Sequence, residues 1–273
     1  MRRHLYGLIL PGLLFLCFFM VVPILLTIAS TLFPNSHFGF GEYSHVLGDR
    51  YFLKILSTTL SISAVCTIGC AILGFPTSYY ISRRLARSKG VLLALAVFPL
   101  LTSPVVRSFS WMIILGRKGL LNTVLADLGL VVRPLNILYT PSAIVVGLVH
   151  LFLPMMIISL VGVLESIDED LIEAAESLGA SPLAAFRQVV FPLAIPGLVV
   201  GSVLVFVGSL TAYTTPALLG GKQRVLSTFL YENAMTLNDW SLASVIATIM
   251  IVVTLLVVTL MNRASATLGR SRT

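Results

Sequence analysis

The sequence predicts an all-α polytopic membrane protein with six transmembrane helices. Three observations carry that expectation. Apolar residues make up 57% of the 273 and charged residues only 11%. Mean hydropathy is +1.00. Six stretches each approach or exceed the roughly 20 apolar residues needed to cross a bilayer core. A water-soluble domain carries about 25% charged residues and needs that polar surface to cover its core, so this composition excludes the soluble class.

The spans follow in order. Leu5–Leu32 is the first, interrupted by Pro11 and Pro23. It is longer than the roughly 7–15 residues of a signal-peptide core and no A-x-A site follows, so it is expected to persist as a helix. Ile55–Ile81 is the second, with a stripe of small residues at Thr59, Ser63, Thr67, Cys70/Ala71 and Gly74. Val91–Leu115 is the third and contains Arg107, expected to snorkel outward, or else to line a polar path or hold an outer loop. Leu121, Val124, Leu125 and Leu128 then predict an amphipathic surface helix. Pro141–Leu164 is the fourth span, with His150 expected in an interhelical hydrogen bond. Val189–Thr211 is the fifth, with Gly197 and Gly201 in a GxxxG pattern and Gly208 beyond, and Leu242–Met261 is the sixth. Small-residue stripes let helix backbones approach closely, here chiefly for packing within the chain. Pro99, Pro104, Pro154, Pro192 and Pro196 interrupt spans three to five. Kinked helices free backbone groups that can line a cavity. The candidate path residues are therefore Pro104, Arg107, Pro154, Thr211, Tyr213 and Pro216.

Charge gives orientation and exclusions. With the N-terminus inside, ten Lys and Arg lie in inner segments (Arg2, Arg3, Arg83, Arg84, Arg87, Lys89, Arg187, Arg263, Arg270, Arg272) and seven in outer ones. The positive-inside rule then favours N-in/C-in. The net charge of +7 is distributed in these short clusters, which argues against nucleic acid as a partner. None of the eleven Asp and Glu falls within a span. An intramembrane carboxylate is the usual proton relay, so an ion-coupled secondary transporter or channel is the alternative rather than the leading reading. Cys17, Cys66 and Cys70 all sit in apolar runs, which predicts neither a disulfide framework nor a metal site. Gly221-Lys222 is followed by Gln223, so no P-loop forms. With no catalytic residues and no cofactor motif, the chain is expected not to be an enzyme, and energy has to come from another subunit.

The segment between spans four and five is different in kind. Residues 165–188 hold Glu165, Asp168, Glu169, Asp170, Glu173 and Glu176, six of the eleven acids. Ser166 with Glu169 predicts a capping box. Ile167, Leu171, Ala174 and Leu178 predict one apolar face, and Glu169, Glu173 and Glu176 a separate acidic one. Gly179 is placed to stop the helix, and Ser181-Pro182 to start another. A short amphipathic helix near 166–180 is expected, suited to docking a soluble partner.

Glu173-Ala174-Ala175, Gly179, Val189 and Phe191-Pro192 at their spacing resemble the EAA motif of permeases of binding-protein-dependent ABC importers. The family usually has Ile at the position of Val189 and Leu before the proline; both departures are apolar and keep the spacing. Pro104–Trp111, Gly119–Asn122, Thr215–Gly221 and Asp239–Ala243 are similar to the spermidine/putrescine branch. The resemblance implies a type I, MetI-like permease fold with a transmembrane domain over 55–262, preceded by a helix and outer loop over 1–54 and followed by a basic tail over 263–273. It implies that Glu173, Ala174, Ala175 and Gly179, with Glu169 and Glu176, form the coupling helix for an ATP-binding cassette ATPase dimer. It further implies a second permease subunit in a heterodimer, an extracytoplasmic solute-binding protein, a bacterial inner membrane, and import of a small polar solute. Polyamine-type members often carry an acid four residues before the proline of the Pro-Ala-Leu-Leu-Gly-Gly run. That position is Ala212 here, which leaves other solutes of the branch open.

Overall fold

The computed structural model describes residues 2–32 and 39–270; Arg272, at the end of the expected basic tail, lies outside them. Among the described residues every regular element is helical: α1 Arg2–Leu32, α2 Gly41–Gly48, α3 Arg50–Ser82, α4 Ala86–Leu101, α5 Pro104–Leu115, α6 Leu120–Asp127, α7 Pro141–Leu164, α8 Glu169–Ser177, α9 Pro182–Ala185, α10 Phe191–Thr211, α11 Thr214–Leu219, α12 Leu226–Tyr231 and α13 Trp240–Arg270. Single π-turns precede α10 (Phe186–Val190) and follow α12 (Glu232–Thr236).

Five of these segments are individually long and apolar enough to cross a membrane: Leu10–Leu32, Arg50–Ser82, Pro141–Leu164, Pro182–Thr211 and Trp240–Arg263. The third expected span is not a straight helix. It is broken between Leu101 and Pro104, with a bend of 93°. A proline disfavours the helical conformation for the residue before it, and Ser103 is extended at ψ 132°. Thr102, at ψ 145°, extends the break by one more residue. Six spans are reached only if this bent pair counts as one.

The chain divides into two compact units. One comprises residues 1–54 and 229–253, the other 55–228 and 254–273. In the first, α1 runs through Pro11 and Pro23 without a break. Phe229 packs edge-on to Tyr51 at 5.9 Å, and the Ser241 hydroxyl donates to Glu42 Oε2 at 3.0 Å.

The second unit is built around α7. Thr140 caps its first turn, accepting from the Ala143 amide at 3.4 Å, and Pro141 occupies the first helical position. Its residues Ile144, Leu148, Phe152, Met156, Leu160 and Leu164 recur every four positions and are all buried. Such an i±4 row is one packing ridge. Ile62, Cys66, Cys70 and Phe75 of α3 and Ala194 and Val205 of α10 close on it. The small-residue stripes make this approach possible. A Cβ at Gly201 would lie 2.7 Å from Met156 Sδ, and one at Gly197 2.8 Å from Val163 Cγ2. Thr59, Ser63 and Cys70 are buried on the facing side of α3. Both stripes therefore serve helix packing inside the chain, with Pro154 buried in the same core.

Candidate functional site

Two regions gather the residues singled out by sequence: the broken third span and the α7–α10 connection. At the break, loss of helical continuity leaves carbonyls unpaired. The Pro99 carbonyl accepts from Thr102 Oγ1 at 2.8 Å and from the Arg107 guanidinium. Arg107 is only 6% exposed, so it does not snorkel. Folding back across the break adds a charged donor to a carbonyl that the Thr102 hydroxyl already serves, so the guanidinium is held inside the fold. One turn along α5, Trp111 Nε1 donates to His150 Nδ1 of α7 at 3.1 Å, the interhelical bond expected of His150. Beyond α5, α6 forms as expected, but its Asn122 is buried. Asn122 Nδ2 donates to the Gly116 and Leu135 carbonyls at 2.9 and 3.0 Å, and its Oδ1 accepts from the Leu135 amide at 2.7 Å.

Among the candidate path residues, Arg107, Pro154 and Pro216 are buried, whereas Pro104, Thr211 and Tyr213 are exposed. The helices of the three buried residues, α5, α7 and α11, pack on one another. Gly147 permits this, since a Cβ there would meet Leu219 and Thr215 of α11 at 2.6 Å. Ala212 ends α10, and its carbonyl accepts from Ser227 Oγ at 2.7 Å.

The α7–α10 connection corrects two local expectations. The N-cap of α8 is Asp168, whose side chain accepts from the Asp170 amide at 3.2 Å. Ser166 turns the other way and donates to the Val163 carbonyl at 2.7 Å, finishing α7. Glu169 does not close a capping box, because it pairs with Arg83 Nη1 at 3.2 Å. The inward face is also different. Ile167 is buried and Ile172 packs on the core, while Leu171 and Leu178 are 49% and 90% exposed. Ala174, Glu173 and Glu176 share that exposure, and Ala175 is half-buried.

The end of α8 forms as the sequence predicts. Gly179 has φ +91°. Its amide donates to the Glu176 carbonyl at 2.9 Å, and the Ala180 amide to Ala175 at 3.1 Å, the paired bonds of a Schellman stop. Ser181 then caps α9 through the Ala184 amide at 3.3 Å.

Three contacts fix this connection to the helices beside it, and sequence reasoning identified none of them. Lys89 Nζ lies 2.5 Å from Glu165 Oε1. Arg83 bridges Glu169 and the Ile167 carbonyl. Phe186 meets Phe75 and Tyr79 of α3 edge-on at 5.6 and 5.4 Å. The partners are about 80 or more residues apart along the chain, so no local pattern announces them.

The site is thus a multi-pass helical protein's α7–α10 connection, carrying an exposed acidic helix tethered at its base. Residues 73–268 match the family described as the binding-protein-dependent transport system inner membrane component. The chain belongs to that family and is a permease subunit of the ABC-importer kind. It is 31% identical over 263 residues to the spermidine/putrescine transport system permease protein PotB of Haemophilus influenzae, covering 93% of this chain and 92% of that one. It is 27% identical over 256 residues to the ferric transport system permease protein FbpB of Actinobacillus pleuropneumoniae, covering 93% of this chain and 37% of that one. A bacterial alginate ABC transporter, solved with an alginate-pentasaccharide-bound periplasmic protein, contains a chain of similar fold. The TM-score is 0.79 at 17% identity, covering 98% of this chain and 96% of that one.

Proposed function

We propose that this chain forms half of a solute path across a bacterial inner membrane, driven by a separate ATPase that engages α8. The observation that carries this reading is the contrast within one short helix. None of its residues is buried, and Leu171, Ala174 and Leu178 stand exposed beside Glu173 and Glu176. Its approach is nevertheless held by the Glu165–Lys89 and Glu169–Arg83 pairs. An apolar strip with flanking carboxylates suits a groove on a soluble partner. A held base lets a push on the strip reach α3 and α7 instead of dissipating in the loop.

The rest of the assembly follows from this reading. Two ATPase subunits, a second and different permease, and an extracytoplasmic binding protein complete the importer, with N-in/C-in orientation. The break at 101–104 and the neighbouring α5, α7 and α11 border the path. The solute is a small polar molecule, either polyamine-like, as the name of PotB suggests, or another small organic solute. Ala212 supplies no carboxylate for a cation, so selection rests mainly with the binding protein.

The test is co-purification. Glu173→Arg combined with Leu178→Asp should release the ATPase and abolish uptake while the permease still inserts. Unchanged assembly and unchanged uptake would disprove the assignment of α8.

A further inference from the structure

We propose that the turn between α3 and α4 carries a site for the phosphodiester headgroup of an anionic phospholipid. Four cations lie close together in this turn: Arg83, Arg84, Arg87 and Lys89. They divide by direction. Arg83 and Lys89 are ion-paired to the α7–α8 connection. Arg84 and Arg87 are exposed, and among the described residues neither is ion-paired to a carboxylate. With Tyr80, Ser88, Val91 and Leu92 they line a cavity of about 480 Å³.

The cavity is built for a phosphate at one end. The Arg84 guanidinium sits over the Tyr80 ring, 4.1 Å from its centroid, which fixes one cation at the wall while its donors stay free. Arg87 and Ser88 lie in the first turn of α4, which has no capping side chain. Uncapped amides at a helix N-terminus attract anions, and guanidinium groups bind phosphate oxygens in pairs.

The other end is built for hydrocarbon. Val91, Leu95 and Phe98 are 59%, 66% and 61% exposed. Their i, i+4, i+7 spacing makes a strip leading away from the cavity for about 10 Å. Charge at one end and an apolar strip at the other match a lipid, whereas inorganic phosphate uses only the first. Basic pockets between membrane helices bind such headgroups. An occupied cavity also braces, from the opposite side, the turn whose other two cations hold the α7–α8 connection.

Native mass spectrometry of the full chain, with whatever subunits co-purify, from nanodiscs of equal phosphatidylglycerol and phosphatidylcholine tests the site. The intact protein should retain phosphatidylglycerol preferentially. Arg84→Gln with Arg87→Gln should reduce that preference about thirtyfold, from about fivefold per arginine near an anionic surface. Arg84→Lys with Arg87→Lys should keep most of it. Ser88→Glu, which places a carboxylate in the cavity with both arginines intact, should also abolish it. Arg117→Gln with Lys118→Gln, an equal charge change elsewhere, should leave it intact. No preference in the intact protein, or a preference that survives both the double-glutamine change and Ser88→Glu, would overturn the proposal. So would an equal loss on changing Arg117 and Lys118, or displacement of the lipid by millimolar inorganic phosphate.

Discussion

At Gly208 the α10 backbone lies against the Phe152 ring so closely that an added Cβ would fall inside any real contact distance. An aromatic ring in a packed ridge cannot move aside as a flexible side-chain tip can. Gly208→Ala should therefore cost about 1–3 kcal/mol, the usual range for overpacking a core, and lower the thermal unfolding midpoint in detergent. Gly162→Ala, where nothing lies within 4 Å, should leave the midpoint unchanged or slightly raised. Glycine stripes were legible as packing surfaces from spacing alone. Which neighbour each glycine faces was not, because α3, α7 and α10 meet only in the folded chain. Arg107 shows the same limit. Its charge and depth suggest a route to the surface, but its actual partner exists only once the helix has broken at Pro104.

Among the elements, α8 separates what local sequence determines from what it does not. Its stop was legible because Gly179 answers a backbone demand, and φ +91° is a conformation that other residues adopt only under strain. Its start was misplaced because Glu169 is claimed by Arg83, 86 positions away, which no capping pattern can foresee. A Cβ at Gly179 would meet nothing within 4 Å, so Gly179→Ala isolates the backbone term. The change should cost about 1–2 kcal/mol locally, seen as faster amide exchange across α8 with the midpoint of the α7 core unchanged. The third span failed as a straight rod for a related reason. Its apolar composition is continuous, and composition carries no information about direction, whereas the turn is made by two residues, Thr102 and Ser103, that leave the helical conformation ahead of Pro104.

For the whole molecule, membrane class and family were legible because apolar content and the spacing of the acidic loop are global properties of the sequence. Orientation rests on the distribution of Lys and Arg, with ten against seven, and is open to a direct check. In a background lacking Cys17, Cys66 and Cys70, Ser177→Cys and Lys222→Cys place thiols at two exposed positions. A membrane-impermeant reagent should label position 222 in intact cells and position 177 only after permeabilisation. The opposite pattern would reverse the topology and remove α8 from the reach of any cytoplasmic ATPase.

The π-turn at Phe186–Val190 joins the α8–α9 segment to α10, with the Phe191 amide reaching the Phe186 carbonyl five residues back. Such a loop holds one residue more than ordinary helical winding takes up. The widened turn absorbs that surplus, so the angular phase between everything upstream and the span downstream is kept. Deleting Gln188 should therefore close the turn into ordinary helix and leave the acidic helix in nearly the same register, with transport retained. One alanine inserted after Leu193, in the regular helix of α10, has no such reservoir and should rotate the acidic helix by about 100°, one residue's share of a 3.6-residue turn, so that transporter should insert normally and yet fail to be driven.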